Sequence, residues 1–331
     1  MAQKATDMRD IEIGWTNDPF FTQTKSKAII LLDYGEVPYF LRGNPYITSG
    51  YRAYLSFRKC LISLFRLTNE TINIWTHLLG SLVFFFLLIY SNAVTIPSSL
   101  GGYADHVVFT SFLLFYQFCM LCSAGYHMFN CHSEKIYHIW LALDLAGISL
   151  ALCGCYIPSV YYAFYCQPNL QVIYLTVVTV MSIMALLLQL HPQYFTSLWA
   201  GKRLASFAVI GMFGVIPSLH WTWIHGGFTQ NIVQVFFPKV VTMYVLGGLA
   251  ITIYGLRFPE CIFPGRLNYI GASHQCWHII IVLAFCWWYK ASVQFFHFRQ
   301  QYGCIVDNID LISVRTVVST VVSPLLVSVA S

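Results

Sequence analysis

The sequence predicts an all-α membrane protein with seven transmembrane helices, a cytoplasmic N-terminus and a lumenal C-terminus. Composition, apolar segments and the placement of positive charge support this prediction. Of 331 residues, 57% are hydrophobic and only 9% are charged, whereas soluble domains carry roughly 25% charged residues. The composition therefore excludes an ordinary soluble domain and indicates a chain that crosses the membrane several times.

Seven apolar stretches are long enough to cross the roughly 30 Å hydrocarbon layer as helices of about 20 residues. We place these spans near residues 74–96, 107–129, 139–160, 172–190, 204–223, 238–256 and 271–290. The residues before the first span are mostly polar and do not begin with a basic region followed by an apolar one. We therefore expect no cleavable signal peptide.

Positive charge is concentrated on one side of the predicted spans. Nine of the 18 Lys and Arg residues precede the first span, and five more lie in the loops after spans two, four and six. The three opposite loops contain only Lys239, at the edge of span six. By the positive-inside rule, the N-terminus and the loops after even-numbered spans face the cytoplasm.

The chain divides into four predicted segments. We expect a flexible cytoplasmic arm over 1–50, an interfacial amphipathic helix over 51–68, a seven-helix membrane domain over 69–290 and a lumenal tail over 291–331. The arm is mostly polar and interrupted by turn-forming Asn-Pro and Val-Pro sequences, which is typical of a segment that binds a soluble partner.

The interfacial helix is predicted from a helical pattern of charge. At 100° per residue, Arg52, Lys59 and Arg66 fall on one face, and apolar side chains cover the other. Such a helix lies in the membrane interface with its cations near anionic headgroups. The alternative is a helix that packs against the bundle.

Four polar residues are predicted to meet at the cytoplasmic ends of three spans. His127 ends span two, Asp144 lies near the start of span three, and His274 and His278 begin span seven. The alternating span directions place all four at one level of the bundle. Ionisable groups inside a membrane are costly to bury, so they are functional candidates by default.

Three imidazoles that converge from two helices suit zinc. His274 and His278 are one helical turn apart and project from one face, and His127 completes a three-nitrogen set. Catalytic zinc keeps three protein ligands and an open position. Asp144 is then either a direct ligand or the group that holds a zinc-bound water, and Ser123, one turn before His127, supports the site from outside. The alternative is that each histidine is a core residue satisfied by a neighbour.

His77 is a weaker candidate for the same site. It follows Glu70 and Asn73 at helical spacing at the start of span one. These residues either support the metal ligands from outside, or they reflect a helix start that is capped by Asn69 or Thr68 with an exposed Glu70. The cysteines look scattered, and those inside spans are expected to act as small hydrophobic residues.

Several motifs carry a resemblance to a known family. The strings NETINIWTHLLG at 69–80, CHSEK at 131–135, LDLAG at 143–147 and LNYIGASH at 267–274 resemble those of the progestin and adipoQ receptor family. The resemblance extends over roughly residues 44–300, and the chain after about residue 302 matches no family pattern.

This resemblance implies a fold, a metal site and a function. The family has seven spans and a cytoplasmic N-terminus, and its adiponectin receptors hold zinc through histidines that correspond to His127, His274 and His278, with an aspartate corresponding to Asp144 nearby. Resemblance to one member of the family implies a Golgi membrane scaffold that sequesters Raf kinase and dampens mitogen-activated kinase signalling. The alternatives are a zinc-dependent, ceramidase-like lipid amide hydrolase with Asp144 as catalytic residue, and an adiponectin-receptor-like receptor; whether the chain is an enzyme stays open. We expect Raf kinase and membrane lipids as partners, and no nucleic acid.

Overall fold

A computed structural model describes residues 28–304. Over this range the chain is helical apart from loops and a single isolated β-bridge between Leu32 and Tyr51. Seven helical segments in it are long and apolar enough to span a membrane. They are Thr71–Ser98, Tyr103–Phe129, Glu134–Ala163, Pro168–Leu188, Ala200–Ile224, Asn231–Leu256 and Ser273–Tyr302. The prediction of an all-α protein with seven transmembrane helices is confirmed over the described residues.

The last span is longer than predicted, because its helix continues to Tyr302. Hydropathy placed its end at residue 290, where polar residues begin. These polar side chains are buried in protein and not in lipid: Ser292 is 1% exposed and Arg299 is 5% exposed. The Arg299 guanidinium donates hydrogen bonds to the carbonyls of Tyr162 (2.8 Å) and Ala163 (3.1 Å) at the end of span three. The predicted tail over 291–331 therefore begins only after the helix, and residues 305–331 lie outside the described range.

The described residues form two compact units. The larger comprises residues 79–121, 145–250 and 280–304. Its core is rich in aromatic side chains, among which the rings of Tyr116 and Phe285 stack with centroids 4.0 Å apart. A disulfide joins Cys166, just after span three, to Cys304, just after span seven.

The smaller unit comprises residues 28–78, 122–144 and 251–279 of the described chain. It contains the ends of five spans, and it also contains the described residues before the first span, 28–70, which we call the pre-span segment. All four predicted site residues belong to this unit.

The structure differs from the predicted flexible arm in residues 28–50, while residues 1–27 lie outside the described range. Ile29, Val37 and Ile47 are buried, and Leu32 and Tyr51 exchange two backbone hydrogen bonds of 2.9 and 3.1 Å. Burial of these apolar side chains stabilises the segment against the entropy of a free chain. The prediction was drawn from the polar residues and the Pro-containing turns of 1–50, and it gave too little weight to the apolar run at 28–32.

The predicted interfacial helix over 51–68 is also shorter than expected. Its α-helical part is Phe57–Ile62, capped by the Ser56 hydroxyl and followed by a 3₁₀ turn at Ser63–Phe65. Arg52 precedes the helix and is only 2% exposed, so the expectation that it faces lipid headgroups is corrected. The helix nevertheless presents exposed apolar side chains, including Phe57, Leu61 and Ile62.

Candidate metal centre

Three imidazole rings converge at the centre of the smaller unit. His127 is in the last turn of Tyr103–Phe129, and His274 and His278 are in the first two turns of Ser273–Tyr302. Nε2 of His274 lies 3.1 Å from Nε2 of His127 and 3.3 Å from Nε2 of His278. His127 and His278 are 2% and 1% exposed. The three ring nitrogens therefore lie close together, as predicted from the i,i+4 spacing of His274 and His278 and from the position of His127 at the end of span two.

The opposite ring nitrogens of two histidines are held by oxygen acceptors. Nδ1 of His127 lies 2.7 Å from the Glu70 carboxylate, and Nδ1 of His278 lies 3.2 Å from the Asn73 carbonyl. A carbonyl oxygen only accepts, so Nδ1 of His278 carries the proton, and the carboxylate favours the same tautomer at His127. In neutral rings the Nε2 lone pairs of His127 and His278 then both point toward Nε2 of His274.

This arrangement fits a zinc ion. A tetrahedral zinc with bonds of about 2.0–2.1 Å to nitrogen separates two ligand nitrogens by about 3.3 Å, close to the two observed separations. An outer acceptor on the second nitrogen of a ligating histidine fixes its tautomer and orientation. The three residues form a possible three-histidine metal site.

The Glu70 carboxylate contacts the three-histidine group through His127. Its carboxylate accepts hydrogen bonds from Asn73 (2.7 Å) and Asn130 (3.3 Å) as well as facing His127. Burial alone would raise the pKa of the Glu70 carboxyl, but His127 and Asn73 outweigh it and lower this pKa to about 2. The Thr68 hydroxyl accepts from the Glu70 backbone N–H at 3.2 Å, so Thr68 provides the helix cap and the Glu70 side chain is left for His127.

Asp144 lies near His127 but does not belong to the group of three ligand candidates. Its carboxyl accepts a hydrogen bond from Ser123 and is close enough to His127 to interact with it electrostatically. Ser123 is 3% exposed. Of the two roles left open by the sequence, this position favours one outside the direct ligand set.

His77 is next to the same centre. Its ring stacks on that of His278 with centroids 3.7 Å apart and planes 20° apart, and it is 3% exposed. Neither of its ring nitrogens has a hydrogen-bond partner within the described structure. His77 therefore contacts the three-histidine group by stacking on the ring face of His278.

Comparison with known proteins identifies the family of this chain. Residues 65–289 match the Haemolysin-III related family. The chain belongs to this family. The matched range contains Glu70, Asp144 and all three converging histidines, so the complete centre lies inside the family domain.

The relatives of this family member include proteins from animals and plants. The chain is 46% identical to progestin and adipoQ receptor family member 3 of Mus musculus, over 84% of this chain and 90% of the relative. It is 34% identical to the adiponectin receptor protein of Drosophila melanogaster, over 76% of this chain and 56% of the relative. It is 31% identical to heptahelical transmembrane protein 1 of Arabidopsis thaliana, over 85% and 86%. The resemblance to the progestin and adipoQ receptor family is thereby confirmed.

Sequence reasoning underrated Glu70 and misplaced Arg52. In this family member, the Arg52 guanidinium donates to the carbonyl of His127 at 2.6 Å and to that of Met128 at 3.4 Å. It also donates to the Ser63 hydroxyl at 2.6 Å. The available signal for Glu70 was the spacing of Glu70, Asn73 and His77; no local pattern pointed to Arg52.

Proposed function

We propose that this chain is a zinc-binding scaffold of the Golgi membrane that sequesters Raf kinase and thereby dampens mitogen-activated kinase signalling. The proposal rests on 46% identity to family member 3 over most of both chains, the member whose resemblance suggests Raf kinase as partner. Zinc has a structural role in this proposal. It would be held by His127, His274 and His278, with Glu70 and Asn73 fixing two of the rings.

One observation carries the structural role of zinc. Two residues of the pre-span segment contact His127. The Arg52 guanidinium donates a hydrogen bond to its backbone carbonyl, and the Glu70 carboxylate lies beside Nδ1 of its ring. An ion that fixes the His127 ring would also fix the residues that hold this histidine. Metal binding is thus coupled to the order of the segment that is expected to meet a cytoplasmic partner.

The proposed orientation places the pre-span segment in the cytoplasm. Nine Lys and Arg residues before the first span favour it. The disulfide between Cys166 and Cys304 follows spans three and seven, which is the opposite side in this orientation. Disulfides persist in the lumen or outside the cell and are rare in the cytosol, so the bond supports the same arrangement.

Recruitment of Raf kinase to membranes that contain the protein tests the scaffold. Full-length protein in liposomes, with verified zinc content, is incubated with Raf kinase and floated on a density gradient. We expect the kinase to float with wild-type protein and with Asp144→Asn, and to be lost with His274→Ala. His191→Ala is the matched control, since His191 is an exposed histidine distant in sequence from the centre. Equal flotation with and without the protein would overturn the proposal.

A zinc-dependent lipid amide hydrolase is the second candidate, favoured by the Asp144 carboxyl and the Ser123 hydroxyl beside His127. Zinc bound there supplies a water of lowered pKa and polarises an amide carbonyl. Asp144 would accept the proton of the attacking water, and Ser123 would orient its carboxylate.

Short-chain ceramide distinguishes the two candidates on the same preparation. In the hydrolase, Asp144→Asn lowers turnover by roughly 10²–10⁴-fold, the usual contribution of a general base. The scaffold proposal expects no zinc-dependent turnover in wild type. Hydrolysis that chelator and Asp144→Asn both abolish would replace the scaffold with the hydrolase.

A further inference from the structure

Two cysteine side chains meet where the pre-span segment contacts the turn after span two. Sγ of Cys60 lies 3.7 Å from Sγ of Cys131, and the two residues are 0% and 1% exposed. Cys60 belongs to the helix Phe57–Ile62 and Cys131 follows the helix end at Phe129. We propose that Cys60 and Cys131 are a reversible redox pair whose disulfide ties this helix to the turn after span two.

Contacts with Leu55 hold the two cysteines next to each other. The backbone N–H of Leu55 donates to the Cys131 carbonyl at 3.2 Å, and Sγ of Cys60 lies 3.7 Å from the Leu55 carbonyl oxygen. A disulfide has a sulfur–sulfur bond of about 2.05 Å, so closure requires an approach of about 1.6 Å from the present 3.7 Å.

Arg52 places a positive charge close to both thiols. Its guanidinium donates to the Met128 carbonyl on one side and to the Ser63 hydroxyl on the other. The hydrogen bond from Cys60 and the positive charge of Arg52 hold the pKa of the Cys131 thiol below its ordinary value, although burial opposes them. The thiolate is the nucleophile in thiol chemistry; in the proposed reaction Cys131 attacks the oxidant and Cys60 is the resolving residue.

The reaction balances with a peroxide as oxidant. The Cys131 thiolate attacks one oxygen of hydrogen peroxide, the O–O bond breaks, and Cys131 becomes a sulfenic acid while hydroxide leaves and takes up a proton as water. The Cys60 sulfur then attacks the Cys131 sulfur, the S–O bond breaks, and a second water leaves with the Cys60 proton. Two thiols lose two electrons to one peroxide, which is reduced to two waters. A dithiol such as thioredoxin reverses the bond by exchange.

The disulfide would form at the contact between the pre-span segment and the end of span two, where Arg52 also binds the His127 carbonyl. The dithiol is the expected resting form in the reducing cytosol. Oxidation would convert a contact held by hydrogen bonds into a covalent link between the pre-span segment and the turn four residues after His127. The proposal stands independently of zinc and of Raf kinase, because its direct product is a covalent bond.

Peptide mapping of oxidised protein tests the pair. Full-length protein in lipid nanodiscs is treated with hydrogen peroxide, blocked with N-ethylmaleimide, digested and analysed by mass spectrometry. We expect a peptide linked through Cys60 and Cys131 that dithiothreitol removes. In Cys60→Ser the link is absent and Cys131 reacts with dimedone as a sulfenic acid. Cys261→Ser is the matched control, since Cys261 is a free, partly exposed cysteine, and it keeps the link.

Two results would overturn the proposal. The first is a wild-type protein with no Cys60–Cys131 link after a peroxide dose that oxidises Cys261, which would mean that the thiols only pack as small hydrophobic residues. The second is a link that forms equally well in protein unfolded with detergent and heat, because the folded geometry would then contribute nothing.

Discussion

The Glu70 carboxylate lies 2.7 Å from Nδ1 of His127, across 57 positions of sequence. This contact joins the start of span one to the end of span two and leaves Nε2 of His127 turned toward His274. The carboxylate thus orients one imidazole of the candidate centre without belonging to the group of three nitrogens. The candidate metal centre is therefore in direct contact with the start of the first span.

Removal of the Glu70 charge is expected to weaken zinc binding. Outer partners of metal-ligating histidines typically contribute 10–100-fold to metal affinity, so Glu70→Gln should lower the zinc affinity of the protein by about that factor in a chelator competition. The matched control is Glu134→Gln, because the Glu134 side chain is 70% exposed and faces only His138 at 3.9 Å. Equal affinity in wild type and Glu70→Gln would contradict the role of Glu70.

Loss of the Arg52 side chain is expected to destabilise the smaller unit. Arg52→Ala would leave the carbonyls of His127 and Met128 without their donor, and an unsatisfied buried group costs about 1–3 kcal/mol. The free energy of unfolding in detergent should fall accordingly. Arg58→Ala, on the exposed side of the following helix, should stay within about 0.5 kcal/mol of wild type; similar losses in both variants would show that Arg52 is not special.

Breaking the Cys166–Cys304 bond is expected to lower stability as well. The cysteines are 138 residues apart in sequence, and disulfides typically stabilise by about 2–4 kcal/mol through the chain they constrain. Cys166→Ser should unfold at lower temperature than wild type, and dithiothreitol should shift wild type toward the variant. Cys261→Ser serves as control; a Cys166→Ser protein as stable as this control would mean the bond does not form.

The short helix Phe57–Ile62 is expected to contact lipid through the apolar residues around it. Phe65, in the following turn, is 81% exposed, so benzoylphenylalanine at this position should form phospholipid adducts in anionic nanodiscs on irradiation. Arg58→Glu should weaken the contact by about 1 kcal/mol, less at high salt. Nanodiscs of zwitterionic lipid are the control, in which the charge should have little effect; absence of adducts in both would indicate packing on protein.

The spans and the three histidines were predictable because their signals are local. A run of apolar residues as long as a membrane crossing, and a His274–His278 pair one turn apart, are properties of contiguous sequence. His127 joined them because alternating span directions fix which ends lie together. These predictions did not depend on any contact between distant residues.

The roles of Arg52, Glu70 and the disulfide could not be predicted, because they depend on contacts between residues that are far apart in the sequence. The helical pattern over 51–68 assumed one continuous helix, but Tyr54 has a φ of 57° and the helix begins only after Ser56. Arg52 therefore precedes the helix and points to the His127 carbonyl. Glu70 had an adequate local explanation as part of a helix start, and Cys166 and Cys304 carry no spacing that pairs them.

Metal analysis of purified, folded protein tests the central claim most directly. A single three-histidine site predicts about one zinc per chain, measured by inductively coupled plasma mass spectrometry after dialysis against metal-free buffer. His278→Ala should lose most of this metal and His191→Ala should retain it, with folding of each variant verified by circular dichroism. Well-folded wild-type protein that contains no zinc and takes up none on addition would contradict the account.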